Sequence, residues 1–279
     1  MTVKIVTDSV ADLPPHVVKE LGITVIPINV NFGSETFRDG IDISTEEFYK
    51  KLAQSEIMPT TSVPSLGIFA AVYDRLAEET DEILVITLSS KLSAFHEAAL
   101  QSRELMTKKC RVEVIDSRWA VMAQGFIVIK AARAAQAGAN LKEVMDIAKR
   151  NIPRVELCST FDTLKYLKQG GRIGKAAAFM GSLLRVHPII GLKDGEVVPL
   201  ARARSRTKAI DYLCSFAKRY SHIEEMSVAY FSAVDDAETL IKCLSPRFPK
   251  DRIYRTHTSP VIGTHTGPNL LVLTLLGDR

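Results

Sequence analysis

Three serine hydroxyls, those of Ser89, Ser90 and Ser93, fall within five residues directly after the run Ile83-Leu84-Val85-Ile86-Thr87-Leu88. The aliphatic, β-branched run predicts a buried strand, and the recurrence of Leu92, Phe95, Ala99, Leu100 and Met106 at roughly helical spacing predicts a helix after it. Hydroxyls on such a strand-to-helix turn lie beside free backbone N–H groups and the positive end of the helix dipole. That setting receives a carboxylate or a phosphate. The same hydroxyls could equally do no more than cap the helix. Two other stretches carry related groups. Pro59-Thr60-Thr61-Ser62-Val63-Pro64-Ser65 holds four hydroxyls between and beside prolines that disfavour regular structure, and reads as a polar loop of restricted shape. His265 stands in Val261-Ile262-Gly263-Thr264-His265-Thr266-Gly267-Pro268, which reads as a Gly/Pro turn.

The elements that must position these groups alternate in the first half. Strands are expected at residues 3–7, 23–30, 83–88 and 112–115, with Pro27 marking the second as an edge strand. Helices are expected after Pro14-Pro15, after the capping box Ser44-Thr45-Glu46-Glu47, and over 65–79, 118–137 and 141–150. Alternation of this kind predicts a mostly parallel sheet with helices on both faces, in which ligands sit beyond the carboxyl ends of the strands. Asp8-Ser9, Ser89-Ser90 and Asp116-Ser117 all lie at such ends. Asp8 and Asp116 could equally cap and brace their turns. A boundary is expected at Pro153, dividing the chain into 1–153 and 154–279. The second half has more hairpin character: a short helix broken at Gly170-Gly171, a helix over 178–184, and an antiparallel hairpin of 188–192 with 197–201 through Asp194-Gly195. With further strands at 155–159, 226–231, 253–257 and 270–276 and helices at 207–220 and 235–244, about six strands form a mixed sheet. The expected fold class is therefore α/β with two domains, the first on a mostly parallel sheet and the second on a mixed one.

The chain has 279 residues, 46% of them hydrophobic and 24% charged, enough for one large or two ordinary domains. A net charge of +4 from 36 basic and 32 acidic residues is too mild and mixed to argue for nucleic acid or a membrane surface. Cys110, Cys158, Cys214 and Cys243 lie far apart without C-x-x-C spacing, so they are expected to be reduced core residues, with no disulfide and no zinc. The first residues read as a strand, not as a signal peptide, and no apolar run is long enough to span a bilayer, so a cytoplasmic, soluble protein is expected.

Taken jointly, Thr7-Asp8-Ser9, Thr61-Ser62-x-Pro64, Leu88-Ser89-Ser90-x-Leu92-Ser93, Asp116-Ser117, Leu167-Lys168-x-Gly170-Gly171-Arg172-Ile173 and Gly263-x-His265-x-Gly267-Pro268 resemble the DegV family, in the family's order from residue 7 to 268. The resemblance implies a two-domain protein that holds a long-chain fatty acid between its domains and, in bacteria, presents its carboxylate to a separate fatty acid kinase. The kinase then phosphorylates that carboxylate from ATP. This chain would be a lipid-binding protein with no catalytic residue and no cofactor, its head-group turns in 1–153 and its acyl-chain pocket in 154–279. Thr61, Ser62 and Ser93 match the family positions that hold the carboxylate, Ala94 can add its backbone N–H, and His265 matches the family's histidine near the head group. Neutral hydroxyl donors suit a carboxylate that must later react, because a lysine or arginine clamp would blunt its nucleophilicity.

Two departures from the family pattern stand out: Ser93-Ala94-Phe95 where Ser-Gly-Thr is common, and Asn269 where a glycine is common. Phe95 is accordingly expected to wall the pocket. Lys165, Lys168, Arg172 and Lys175 form a local basic cluster, either a solvated face or a docking patch at the site mouth for an acidic partner surface or ATP phosphates, with Arg172 and Lys168 at its centre. A serine hydrolase using Ser93, His265 and an aspartate is the rival reading, opposed by the lack of glycines around Ser93. A phosphate-ligand enzyme is the second rival, opposed by the absence of G-x-x-x-x-G-K-[ST] and of G-x-G-x-x-G after any strand.

Overall fold

The computed structural model describes residues 2–179 and 186–279. In chain order the first half comprises β1 (Lys4–Asp8), α1 (Pro15–Glu20), β2 (Thr24–Ile26), β3 (Asn29–Phe32), β4 (Glu35–Arg38), α2 (Thr45–Gln54), β5 (Thr60–Ser62), α3 (Leu66–Leu76), β6 (Glu82–Thr87), α4 (Phe95–Gln101), β7 (Arg111–Asp116), α5 (Val121–Gln136) and α6 (Leu141–Asn151). The second half comprises β8 (Val155–Thr160), α7 (Lys165–Gln169), β9 (His187–Lys193), β10 (Glu196–Ala203), α8 (Arg206–Ala217), β11 (His222–Tyr230), α9 (Val234–Leu244), β12 (Tyr254–His257), α10 (Pro260–Thr266) and β13 (Leu271–Asp278).

β2, β1, β6 and β7 form a parallel sheet in that order. Side-chain alternation along its central strands sends Ile5, Leu84 and Ile86 to one face, where α1, α5 and α6 pack, and Val6, Ile83 and Val85 to the other, where α3 and α4 pack. The second sheet has the order β10-β9-β8-β13-β11-β12 and is mixed, since only β11 and β12 run parallel. One of its faces carries α8 and α9; the other shares an apolar cluster with α5, which explains why that helix is buried on nearly every side. A three-stranded antiparallel sheet, β4-β3-β5, lies against α10.

Four expectations need correction. Residues 23–30 are two strands in two sheets: Pro27 offers no N–H to a ladder, so the chain leaves the parallel sheet after Ile26 and enters the small sheet at Asn29. The 59–65 loop contains β5, because its prolines flank residues 60–62 and leave their N–H groups free to pair with β3. The Gly/Pro turn at 261–268 is the helix α10: Ser259 caps it through Ile262 N, and Pro260 opens it with the φ a first turn requires. Cys214 and Cys243 form a disulfide, with Cα atoms 6.2 Å apart, because α8 and α9 lie side by side on one sheet face. Cys110 and Cys158 are free. The helix expected over 178–184 falls mostly outside the described residues, and its described approach, Gly174–Phe179, is a 3-10 segment. Among the described residues no helix is long and apolar enough to cross a membrane.

Candidate functional site

The parallel sheet changes direction between β1 and β6, since β2 lies on one side of β1 and β6 on the other. Such a switch point opens a crevice at the carboxyl ends of the strands. An apolar cavity of about 120 Å³ sits there, walled by Val10 after β1, by Leu88 and Leu92 after β6, and by Leu157, Ile190 and Val272 of the mixed sheet. The turn after β6 is braced from several sides. Leu88 N donates to Asp8 Oδ2 (2.7 Å), Ser90 Oγ to Asp116 Oδ2 (2.6 Å), and Ser89 Oγ to Gly195 O (2.8 Å) in the β9–β10 turn. Asp8 and Asp116 thus hold the turns; burial pushes the Asp8 carboxyl up to about 6 against the hydrogen bonds it accepts from Leu88, Gln124 and Val10.

The polar end of the cavity is built by Thr61, Ser93, His265 and Arg172. β5 pairs with β3 so that Thr61 lies opposite the buried Val30 and faces inward with it, whereas Ser62 lies opposite Asn29 and faces outward. Thr61 Oγ1 and His265 Nε2 are 2.9 Å apart. The other ring nitrogen of His265, Nδ1, is buried without a hydrogen-bond partner. Burial first, and then the neighbouring Arg172 charge, hold its imidazole down at about 4, so the ring is neutral at ordinary pH. Ser93 Oγ accepts from Phe95 N (3.2 Å), which leaves its own proton free to donate toward the cavity. The Arg172 guanidinium is spent partly on carbonyls, with Nε donating to Leu92 O (3.0 Å) and Nη1 to Gly170 O (2.6 Å), so it forms part of the cavity wall.

A sequence model described as an uncharacterised protein of the DegV family matches residues 2–277. The chain belongs to the DegV family. A DegV domain-containing protein of Caldanaerobacter subterraneus subsp. tengcongensis is 34% identical over 270 residues, 96% of each chain. The structure is similar to that of a DegV protein from Thermus thermophilus whose reported property is fatty acid binding, with a TM-score of 0.90 and 31% identity over 99% of this chain and 100% of that one. It is likewise similar to a DegV fatty acid-binding protein from Bacillus subtilis, with a TM-score of 0.89 and 30% identity over 99% of both chains.

Within this DegV chain, Thr61, Ser93, His265 and Arg172 come together, and the other sequence candidates stand apart from them. Ser62 is exposed, its Oγ 3.2 Å from Asn31 Nδ2, and its hydroxyl does not reach the cavity. Ala94 is exposed at the N-cap of α4. Lys168 is exposed on α7, outside the cavity wall. Phe95 does not wall the cavity: it is fully buried against Phe69, their ring centroids 4.7 Å apart, on the helix-covered face of the parallel sheet. Two polar wall residues were missed. Ser159 and Thr266 line the cavity, but each donates to a backbone carbonyl, of Ile190 (3.3 Å) and Ile262 (2.8 Å), and so presents little free polarity. No sequence signal marked Ser159; for Thr266 the Ser259-Pro260 start of α10 would have sufficed.

Proposed function

We propose that the protein binds a long-chain fatty acid in the switch-point cavity, with the carboxylate at Thr61, Ser93 and His265, and presents it to a separate ATP-dependent fatty acid kinase. The observation that carries this reading is an apolar cavity that ends in the Thr61 and Ser93 hydroxyls, whose protons are free, beside His265 and Arg172. With the ring proton on Nε2, His265 donates to Thr61 Oγ1, and the Thr61 proton then points to a carboxylate, as does that of Ser93. Arg172 balances the carboxylate charge from the wall while two of its donors remain on carbonyls, so the nucleophilic oxygen is not locked in a bidentate pair. Residues 1–153 supply Thr61 and Ser93, and residues 154–279 supply much of the tail wall. Burying about fourteen methylenes contributes a gross ~11 kcal/mol. A cavity of about 120 Å³ has room for roughly four waters at ~30 Å³ each, so a long tail requires wall side chains to shift.

The relatives' reported fatty acid binding supports the ligand class. A hydrolase fits the geometry poorly, because His265 engages Thr61 and not Ser93, and a base held near 4 is weak at neutral pH. The test is solvent extraction and mass spectrometry of protein purified from cells, followed by incubation with ATP and a cognate kinase. A long-chain fatty acid in the extract and its conversion to an acyl phosphate are expected. Preparations consistently free of fatty acid would overturn the ligand, and lipid-loaded protein that no kinase phosphorylates would overturn the presentation step.

A further inference from the structure

The junction of α7 and α10 contains two glycine contacts that interlock. At Gly170, the C-cap of α7, a Cβ would stand 2.9 Å from His265 Cε1 and closer still to Nδ1, so the imidazole fills the volume that any other side chain would take. At Gly267, the C-cap of α10, a Cβ would stand 2.6 and 2.7 Å from Cε2 and Cδ2 of Tyr166 on α7. Each helix therefore inserts a ring into the gap left by the other's glycine. Gly171, the next residue, differs in kind: nothing lies within 4 Å of a Cβ there, and the glycine serves a left-handed φ of +72°. Gly170 has an ordinary right-handed backbone, φ −73° and ψ −7°, which any residue adopts. Conformation does not require a glycine at 170; the His265 ring does.

We propose that Gly170 is a positioning residue for the head-group site: the side chain it lacks is the seat of the His265 ring, and that seat delivers Nε2 to Thr61. The Gly170-Gly171-Arg172 run then divides its work. Gly170 seats the imidazole, Gly171 turns the chain, and Arg172 returns its Nη1 to Gly170 O and brings its charge to the cavity wall. The seat also explains why Nδ1 is buried without a partner, since it faces the α7 terminus and not water or a donor. The functional consequence rests on the fatty acid reading above, but the seating does not, and the experiment separates them.

The experiment follows the imidazole resonances of the six histidines in ligand-free protein by NMR from pH 3.5 to 8, with His265 assigned by its loss in His265→Gln. In the parent protein His265 titrates near 4, the one cation facing it among the described residues being Arg172. In Gly170→Ala the displaced ring reaches solvent, and its midpoint rises by one pH unit or more. In Gly171→Asn, where asparagine tolerates the left-handed backbone, the midpoint stays where it was. Fatty acid affinity, measured separately, falls about tenfold in Gly170→Ala and little in Gly171→Asn. An unchanged His265 titration in Gly170→Ala, or an equal shift in Gly171→Asn, overturns the proposal. If Gly170→Ala does not fold, Gly170→Ala/His265→Ala decides: removing the ring vacates the seat, so the double variant folds, and its failure would show that the ring is not what excludes a side chain at 170. A shifted titration with no fatty acid binding in any variant would leave the seat standing and refute the ligand instead.

Discussion

Ser93 shows how one hydroxyl can satisfy two readings at once. Accepting from Phe95 N braces the turn into α4 from the residue before its N-cap, yet it uses only a lone pair and leaves the proton for a ligand. Ser93→Ala should therefore lower stability by about 1 kcal/mol through the lost backbone partner. It should also weaken head-group placement by about 1.5–3 kcal/mol, the usual contribution of a hydrogen bond to a charged group. Since tail burial dominates affinity, bound lipid should persist while kinase-coupled turnover drops by one to two orders of magnitude, as read by mass spectrometry of the extract alongside acyl-phosphate formation. Wild-type turnover in this variant would remove Ser93 from the head-group site. Ser93, Thr61 and His265, which the motifs singled out, line one cavity. The motifs could not separate Thr61 from Ser62, because which of two adjacent strand residues faces inward is set by pairing with β3.

At the scale of elements, α10 is the beam that carries His265, and it is clamped on both sides. A Cβ at Gly263 would lie 2.6 Å from Phe48 Cε1 and 2.7 Å from Tyr49 Oη on α2, opposite the Tyr166 contact with α7. Tyr49 is itself fixed by Thr258 Oγ1 (2.9 Å) and stacks on Phe231 with centroids 4.3 Å apart, so it cannot easily retreat. Gly263→Ala should cost about 1–3 kcal/mol by overpacking, visible as a lower urea midpoint; a midpoint equal to the parent's would mean that α2 and α10 are not rigidly clamped. α7 offers a different test on its exposed side. Lys168 lies outside the cavity wall, so Lys168→Glu should keep its lipid but serve the kinase poorly, and worse at low salt, where the screening length grows from about 8 Å to about 30 Å. Turnover of lipid-loaded protein at two salt concentrations checks this. Equal turnover at both would mark the basic cluster of α7 as a solvated face.

The whole molecule stores an unusual proton balance. Burial raises Asp8 to about 6, Asp39 to about 7 and Asp12 well above the usual carboxylate range, with the neighbouring aspartates adding to the shifts of Asp12 and Asp39. A carboxyl raised in the folded state contributes stability that is full below about 3.8 and is lost as pH rises through its folded value. His265, depressed to about 4, acts in the opposite sense: its contribution is full above about 6.5 and is lost as pH falls through 4. Near pH 5 the raised carboxyls outnumber the one depressed imidazole, so the folded state holds more protons than the unfolded chain at these sites, and stability should fall as pH rises through about 6 and 7. The depressed exposed carboxylates, such as Asp42 at about 2, lose their contribution only below that window. Urea midpoints measured at pH 5, 6 and 7 should decline in that order, and Asp39→Asn should flatten the decline. Midpoints that instead rose with pH would show that the aspartates ionise normally.

Much of the architecture was legible because its causes are local. The alternation along Ile83-Leu84-Val85-Ile86, the Ser44–Glu47 capping box and the Asp194-Gly195 turn between β9 and β10 each carry their own instructions within a few residues. The order of most strands and helices and the mixed second sheet followed from such signals, and the motifs taken together carried the family resemblance. What only the tertiary structure decided depends on contacts between residues far apart in the chain. Pro27 splits a strand because a second sheet stands ready to take the continuation, and residues 261–268 become a helix whose glycines are explained by rings on α2 and α7. Cys214 meets Cys243 because two helices share one sheet face. His265 is neutral because burial beside Arg172 outweighs its ordinary basicity. Pattern and propensity act within a turn or two of chain, whereas register, burial and electrostatic environment are properties of what lies across the gap, and the polar end of the cavity is made almost wholly of the latter.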